Sequence, residues 1–120
     1  MTPLQKAIRA ATGNPKGSEA EDALAWQIKN CSELPAPARH VRLVAGRKFE
    51  LDFVWDKQSL AVEVDGGVWM QGHGAHSRPL NILRDMEKSN LVQRLGYSYF
   101  RFTPDQVKNG EALEFIKELF

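Results

Sequence analysis

The sequence predicts an α/β domain, a mixed central sheet flanked by helices in the order α-β-β-β-α-β-α, and three observations carry that expectation. Two short runs alternate along the chain. Phe49, Leu51, Phe53 and Trp55 interleave with Glu50, Asp52 and Val54, and Leu60, Val62 and Val64 interleave with Ala61, Glu63 and Asp65. Alternation with a period of two marks strands that bury one face, and Asp56-Lys57-Gln58-Ser59 between them suits a hairpin loop. The segment 80–95, closed by Gly96, then separates this hairpin from a further alternating stretch, Tyr97 to Phe102. A helix of that length makes a right-handed crossover into parallel pairing. Finally, 120 residues with 42% hydrophobic content build one sizeable core and leave no room for a second domain.

Each element has its own signals. Thr12-Gly13-Asn14-Pro15-Lys16-Gly17 is turn chemistry, so residues 1–17 are expected to be a lead-in, free to be mobile, with the domain proper at 18–120. Ser18-Glu19-Ala20-Glu21 has capping-box spacing, and Ala20, Leu24, Ala25 and Ile28 recur at helical intervals until Asn30, before Pro35 and Pro37 forbid continuation. A strand follows at 40–44, closed by Ala45-Gly46, and then the hairpin. Gly66-Gly67 opens a glycine-rich loop that runs to Pro79, of a length that is often functional. After the crossover helix and the strand ending at Thr103-Pro104, a last helix is expected at 110–119, with Leu113, Ile116 and Phe120 on one stripe.

Composition removes several classes. Sixteen Lys and Arg against 15 Asp and Glu give a net charge of +1, so no whole-molecule field favours nucleic acid or membrane. Local clusters carry that question instead: Arg39-His40-Val41-Arg42 with Arg47-Lys48, and later Arg78, Arg84, Lys88, Arg94 and Arg101, are placed to follow a phosphate backbone. One cysteine, Cys31, excludes an internal disulfide and a cysteine-based zinc cluster. No apolar run has signal-peptide character or the roughly 20 residues of a membrane span, so a cytoplasmic protein without membrane partners is expected. A monomer or a homodimer is expected.

The acidic face of the hairpin is the chemical signal. A register that sets Phe53 beside Val62 also sets Asp52 beside Glu63, with Asp65 next along that face. Facing like charges destabilise a sheet, and a cation offsets the repulsion. Mg²⁺ prefers oxygen, which Asp52, Glu63, the backbone carbonyl of Val64 and Asp65 supply. Glu21, three residues after Ser18, has the position that completes a helix cap. His73 and His76 lie in a loop that is not helical and lack cysteine partners, which disfavours zinc; His76 suits a general base better. Asp85 and Lys88 are three apart on the crossover helix, as either a surface ion pair or part of the site. Trp69 is either core or a wedge into a base step, and Arg78 and Arg101 suit phosphate better than proton transfer.

Taken in order, Glu21, Arg47, Asp52-Phe53, Glu63-Val64-Asp65-Gly66-Gly67-Val68-Trp69, His76 with Arg78, Asp85 with Glu87-Lys88 and Asn90, and Gly96-Tyr97 leading to Arg101-Phe102-Thr103 resemble the PD-(D/E)xK nuclease superfamily. The branch they resemble is that of the Vsr-type mismatch endonucleases and related small phage or bacterial proteins, over about residues 18–107. The resemblance implies a restriction-endonuclease-like core and a DNA endonuclease that uses Mg²⁺, with Mn²⁺ able to substitute, in DNA repair, recombination or phage DNA processing. It implies metal binding by Asp52, Glu63 and Asp65, water activation by His76 or Lys88, support from Glu21 and Asp85, and DNA contacts from Arg47, Arg78, Arg101 and Trp69. One departure stands out. The family pattern has lysine two residues after the strand acid, where this chain has Asp65; family variants move that lysine to the following helix, pointing to Lys88, or use a loop histidine, His76 or His73. The alternative is a nuclease fold without catalysis that binds DNA or protein.

Overall fold

A computed structural model describes residues 18–65 and 79–120 of the chain. The elements are α1 (Ser18–Lys29), β1 (Ala38–Val41), β2 (Leu51–Trp55), a 3₁₀ turn (Asp56–Gln58), β3 (Leu60–Val64), α2 (Pro79–Arg94), β4 (Ser98–Phe102), α3 (Pro104–Lys108) and α4 (Glu111–Lys117). The strands form one mixed sheet in the order β1-β2-β3-β4. β1, β2 and β3 are antiparallel, with Phe53 opposite Val62 as the alternation requires, and β4 joins β3 in parallel, pairing Glu63 with Arg101 and Val64 with Phe102. Among the described residues no helix is long and apolar enough to cross a membrane.

The sheet has two covered faces, and the alternation expected over Phe49–Trp55 holds only from Phe53 onward, since Phe49 and Leu51 pack on the face of Val54 and Ala61. On one, Phe53, Leu60, Val62 and Phe102 pack with Leu24 and Ile28 of α1, Val107 of α3 and Ile116 of α4. On the other, Val54 and Ala61 pack with Val92 of α2, flanked by Tyr97 and Tyr99. The parallel β3–β4 pair demands that the crossover helix α2 lie on one face, and α1, α3 and α4 cover the other. The 3₁₀ turn closes through Ser59, which adopts φ 50° and donates its amide to Asp56 O at 3.0 Å. Gly96, at φ 93°, makes the left-handed stop after α2 that few other residues tolerate.

Two elements differ from the sequence expectation. The first strand is Ala38–Val41, not 40–44, because Val44 to Arg47 turn through Gly46 at φ 79°, with Arg47 N donating to Val44 O at 3.2 Å. The strand therefore begins directly after the prolines. In addition, Thr103-Pro104 not only ends β4 but starts α3. Thr103 Oγ1 accepts from Gln106 N at 3.2 Å, Thr103 N donates to Gln106 Oε1 at 2.9 Å, and Pro104 occupies the first turn, where its missing N–H costs nothing. Thr103→Ala is expected to lower stability by about 1 kcal/mol, read as a lower urea midpoint with an unchanged m-value; no loss would mean that packing of Val107 alone holds this helix.

A candidate metal centre beside the central hairpin

Three elements converge where the β2–β3 ladder runs out. Continuing the register one step beyond Phe53–Val62 sets Asp52 opposite Glu63. The next amide outward, Val64 N, donates to Asp52 Oδ2 at 2.9 Å, so Val64 enters the site through its N–H. On the other side, Arg39 pairs with Phe53 and Val41 with Leu51, which sets His40 across from Asp52. His40 has φ 54°, left-handed backbone inside a strand and a sparsely populated state for a residue with a Cβ.

Glu21 arrives from the first turn of α1 and is 7% exposed. Its Oε2 lies 2.6 Å from Arg39 Nη2 and 2.8 Å from His40 Nε2. The Arg39 guanidinium also sits 4.6 Å from the centre of the Phe53 ring, which fixes it between sheet and helix. As a result, one donor atom each from Glu21, His40 and Asp52 all lie within 4.8 Å of one another.

The electrostatics follow from this crowding. Burial pushes the Asp52 carboxyl up to about 7, the charges of Glu21 and Glu63 push the same way, and the Val64 N–H and Lys88 oppose them. Lys88 reaches in from α2 to an ion pair with Glu63 and donates to Glu50 O at 3.2 Å. The Glu63 and Lys88 side chains are 13% and 16% exposed, so this pair is largely withdrawn from solvent. Tyr99 lies on the same face, its hydroxyl held well above the usual phenol range by burial and by the Glu63 charge.

The other acids on this side are matched to arginine. Arg101 Nη2 pairs with Asp65 and, at 2.6 Å, with Asp85, and hydrogen bonding to Asp85 and the charge of Asp65 hold its proton above the ordinary range against the effect of burial. Arg47 pairs with Glu87 and lies 5.5 Å from the Phe49 ring centre. Asp85 and Lys88 thus do not pair with each other; each takes a partner from the sheet.

Of the residues singled out from sequence, the structure brings Asp52, Glu21, Glu63, Val64 and Lys88 together. Asp65, Asp85 and Arg101 form a separate ion triad. His73, His76, Trp69 and Arg78 lie outside the described residues. His40 was legible from sequence only as part of a basic stretch; its place in the cluster depends on the β1–β2 register, which no local pattern specifies. Comparison with protein-family models, with curated proteins and with solved structures finds no match for this chain.

Proposed function

We propose that the chain is a divalent-metal-dependent DNA endonuclease with a restriction-endonuclease-like core, of the Vsr-like kind. The observation that supports this most directly is the gathering of Glu21 and Asp52 with His40 in one half-buried cluster where Asp52 resists ionisation. An acidic cluster of this kind fits a cation: a divalent ion would offset the burial and repulsion that raise Asp52 and favour its anionic, ligating form. When bound there, Mg²⁺ or Mn²⁺ supplies a water of lowered pKa and positive charge for the pentavalent phosphate transition state.

The chain's own residues supply the remainder. Asp52 is held in one orientation by the Val64 N–H, and Glu21 by Arg39, so neither carboxylate has to be ordered at the moment of reaction. Lys88 projects from the crossover helix to the Glu63 carboxylate, a position from which its ammonium can contact a phosphate oxygen or orient a water, as the missing strand lysine would. Arg101 and Arg47 serve DNA only by exchanging their carboxylate partners for phosphate. An intracellular location goes with this reading, as does a role in repair, recombination or phage DNA processing.

A second reading, a nuclease fold that binds DNA or protein without catalysis, is favoured by one observation: Glu63 and Asp65 are already matched to Lys88 and Arg101. Nicking of supercoiled plasmid with Mg²⁺ or Mn²⁺, compared between the native chain and Asp52→Ala, separates the two. Metal-dependent nicking that is lost in the variant supports the enzyme; no nicking by the native chain, with DNA binding retained, supports the binding module. A panel of linear, mismatched, flapped and four-way DNA then defines the substrate.

A further inference from the structure

We infer that His40 is a metal ligand, so that Glu21, His40 and Asp52 form a mixed nitrogen–oxygen site that takes a first-row transition ion such as Mn²⁺ in preference to Mg²⁺. The inference deepens the proposal above by naming the ion and its nitrogen donor, but the binding it describes does not require that the protein cleave anything. Imidazole is a donor for transition ions, whereas Mg²⁺ keeps to oxygen and water. A site built only for Mg²⁺ gains nothing from a histidine at its centre.

The geometry supports ligation. Two donors each about 2.1 Å from one ion and at right angles are about 3.0 Å apart, and His40 Nε2 lies 2.8 Å from Glu21 Oε2. The opposite ring nitrogen, Nδ1, faces Glu50 Oε1 at 3.8 Å. With an ion bound at Nε2 the ring proton would sit on Nδ1, on the side of that carboxylate, the arrangement in which a ligating histidine has an acid behind it. Arg39 Nη2 lies 2.6 Å from that same Oε2, which fixes the oxygen beside Nε2. The competing account makes His40 a cationic partner of Glu21, with Nε2–H donating and no metal involved.

Pulsed EPR of the Mn²⁺-loaded native chain tests this without any variant. Hyperfine coupling from an imidazole nitrogen is expected; Mn²⁺ bound without that coupling overturns the inference, as does failure to bind Mn²⁺. His40→Gln provides the second measurement, with folding checked by circular dichroism. Calorimetric titration is expected to show Mn²⁺ affinity reduced by about tenfold or more, with Mg²⁺ affinity almost unchanged because the Gln amide oxygen serves Mg²⁺; equal losses for both ions would refute a nitrogen ligand. Nitrogen coupling without plasmid nicking would sink the nuclease reading and keep this one. Nicking supported by Mn²⁺ without the coupling would do the reverse.

Discussion

Replacing Asp52 is expected to abolish cleavage while making the metal-free fold more stable at neutral pH and above. The two effects share a cause. Burial first, and then the charges of Glu21 from α1 and Glu63 from β3, against the Val64 N–H and Lys88 from α2, lift the pKa of Asp52 from 3.8 to about 7, with His40 from β1 beside it. Between those values the folded state holds a proton that the unfolded chain has released, so stability falls as pH rises through that window and the full penalty is present above about 7. At 1.36 kcal/mol per pH unit, and reduced for the solvent that still reaches the site, the penalty is on the order of 2–4 kcal/mol.

Asp52→Asn removes the charge and keeps an oxygen to accept from Val64 N. Urea unfolding is therefore expected to show the variant more stable than the native chain at pH 8 by that amount and equal to it near pH 4. Plasmid nicking is expected to fall by more than about 100-fold, since losing even a hydrogen-bond partner behind a metal ligand costs 10–100-fold. A native chain whose stability is flat between pH 4 and pH 8 would refute the electrostatic account, and unchanged nicking would refute the assignment of Asp52. The converse also follows: divalent metal should stabilise the native chain more at pH 8 than at pH 5, because the ion binds the form that proton release exposes.

This tension between stability and ligation explains which parts of the molecule the sequence displays. Alternation at Phe53–Trp55 and Leu60–Val64 is a local property that leaves one register, Phe53 on Val62, whereas Phe49 and Leu51, expected on the same face, pack instead in the opposite core with Val54 and Ala61. The crossover helix was legible for the same reason, from its length and its Gly96 stop. What sequence does not show is the choice of partner across long separations. Helical spacing places Asp85 and Lys88 on one side, yet only the folded sheet sends one to Arg101 and the other to Glu63. Arg47 and Arg101 count as free cations in a charge tally and are found paired with carboxylates. His40 is the sharpest case, since its role rests on a register reached through the connection at 42–50 and on a left-handed backbone that no glycine announces. α3 was readable in principle, from Thr103 and Gln106 at capping-box spacing around Pro104, but the proline also reads as a simple strand end.

Lys88→Met is expected to separate two roles that the Glu63 ion pair combines. Methionine keeps much of the lysine stem's packing beside Phe49, whose ring centre lies 5.5 Å from Nζ, and removes only the ammonium. Glu63 would then sit 13% exposed beside Asp52 and Tyr99 with its cation gone. Stripping one partner from a fully buried pair costs 3–5 kcal/mol, and the residual solvent at this pair reduces that to about 1–3 kcal/mol. Adding Glu63→Gln in the same chain removes the stranded charge, so the double variant should recover most of the loss in urea unfolding at pH 8.

Activity should not follow stability. If Lys88 stands where the family pattern has its strand lysine, loss of its ammonium removes charge stabilisation from the reacting phosphate, and nicking by Lys88→Met should fall by about 100-fold or more even where urea curves show the variant fully folded at assay temperature. If the lysine merely neutralises Glu63, the same variant frees that carboxylate for metal, so divalent affinity rises and nicking persists. Wild-type nicking by Lys88→Met would therefore end the assignment of Lys88 to the reaction, while folded, metal-binding but inactive protein would place the ammonium at the phosphate.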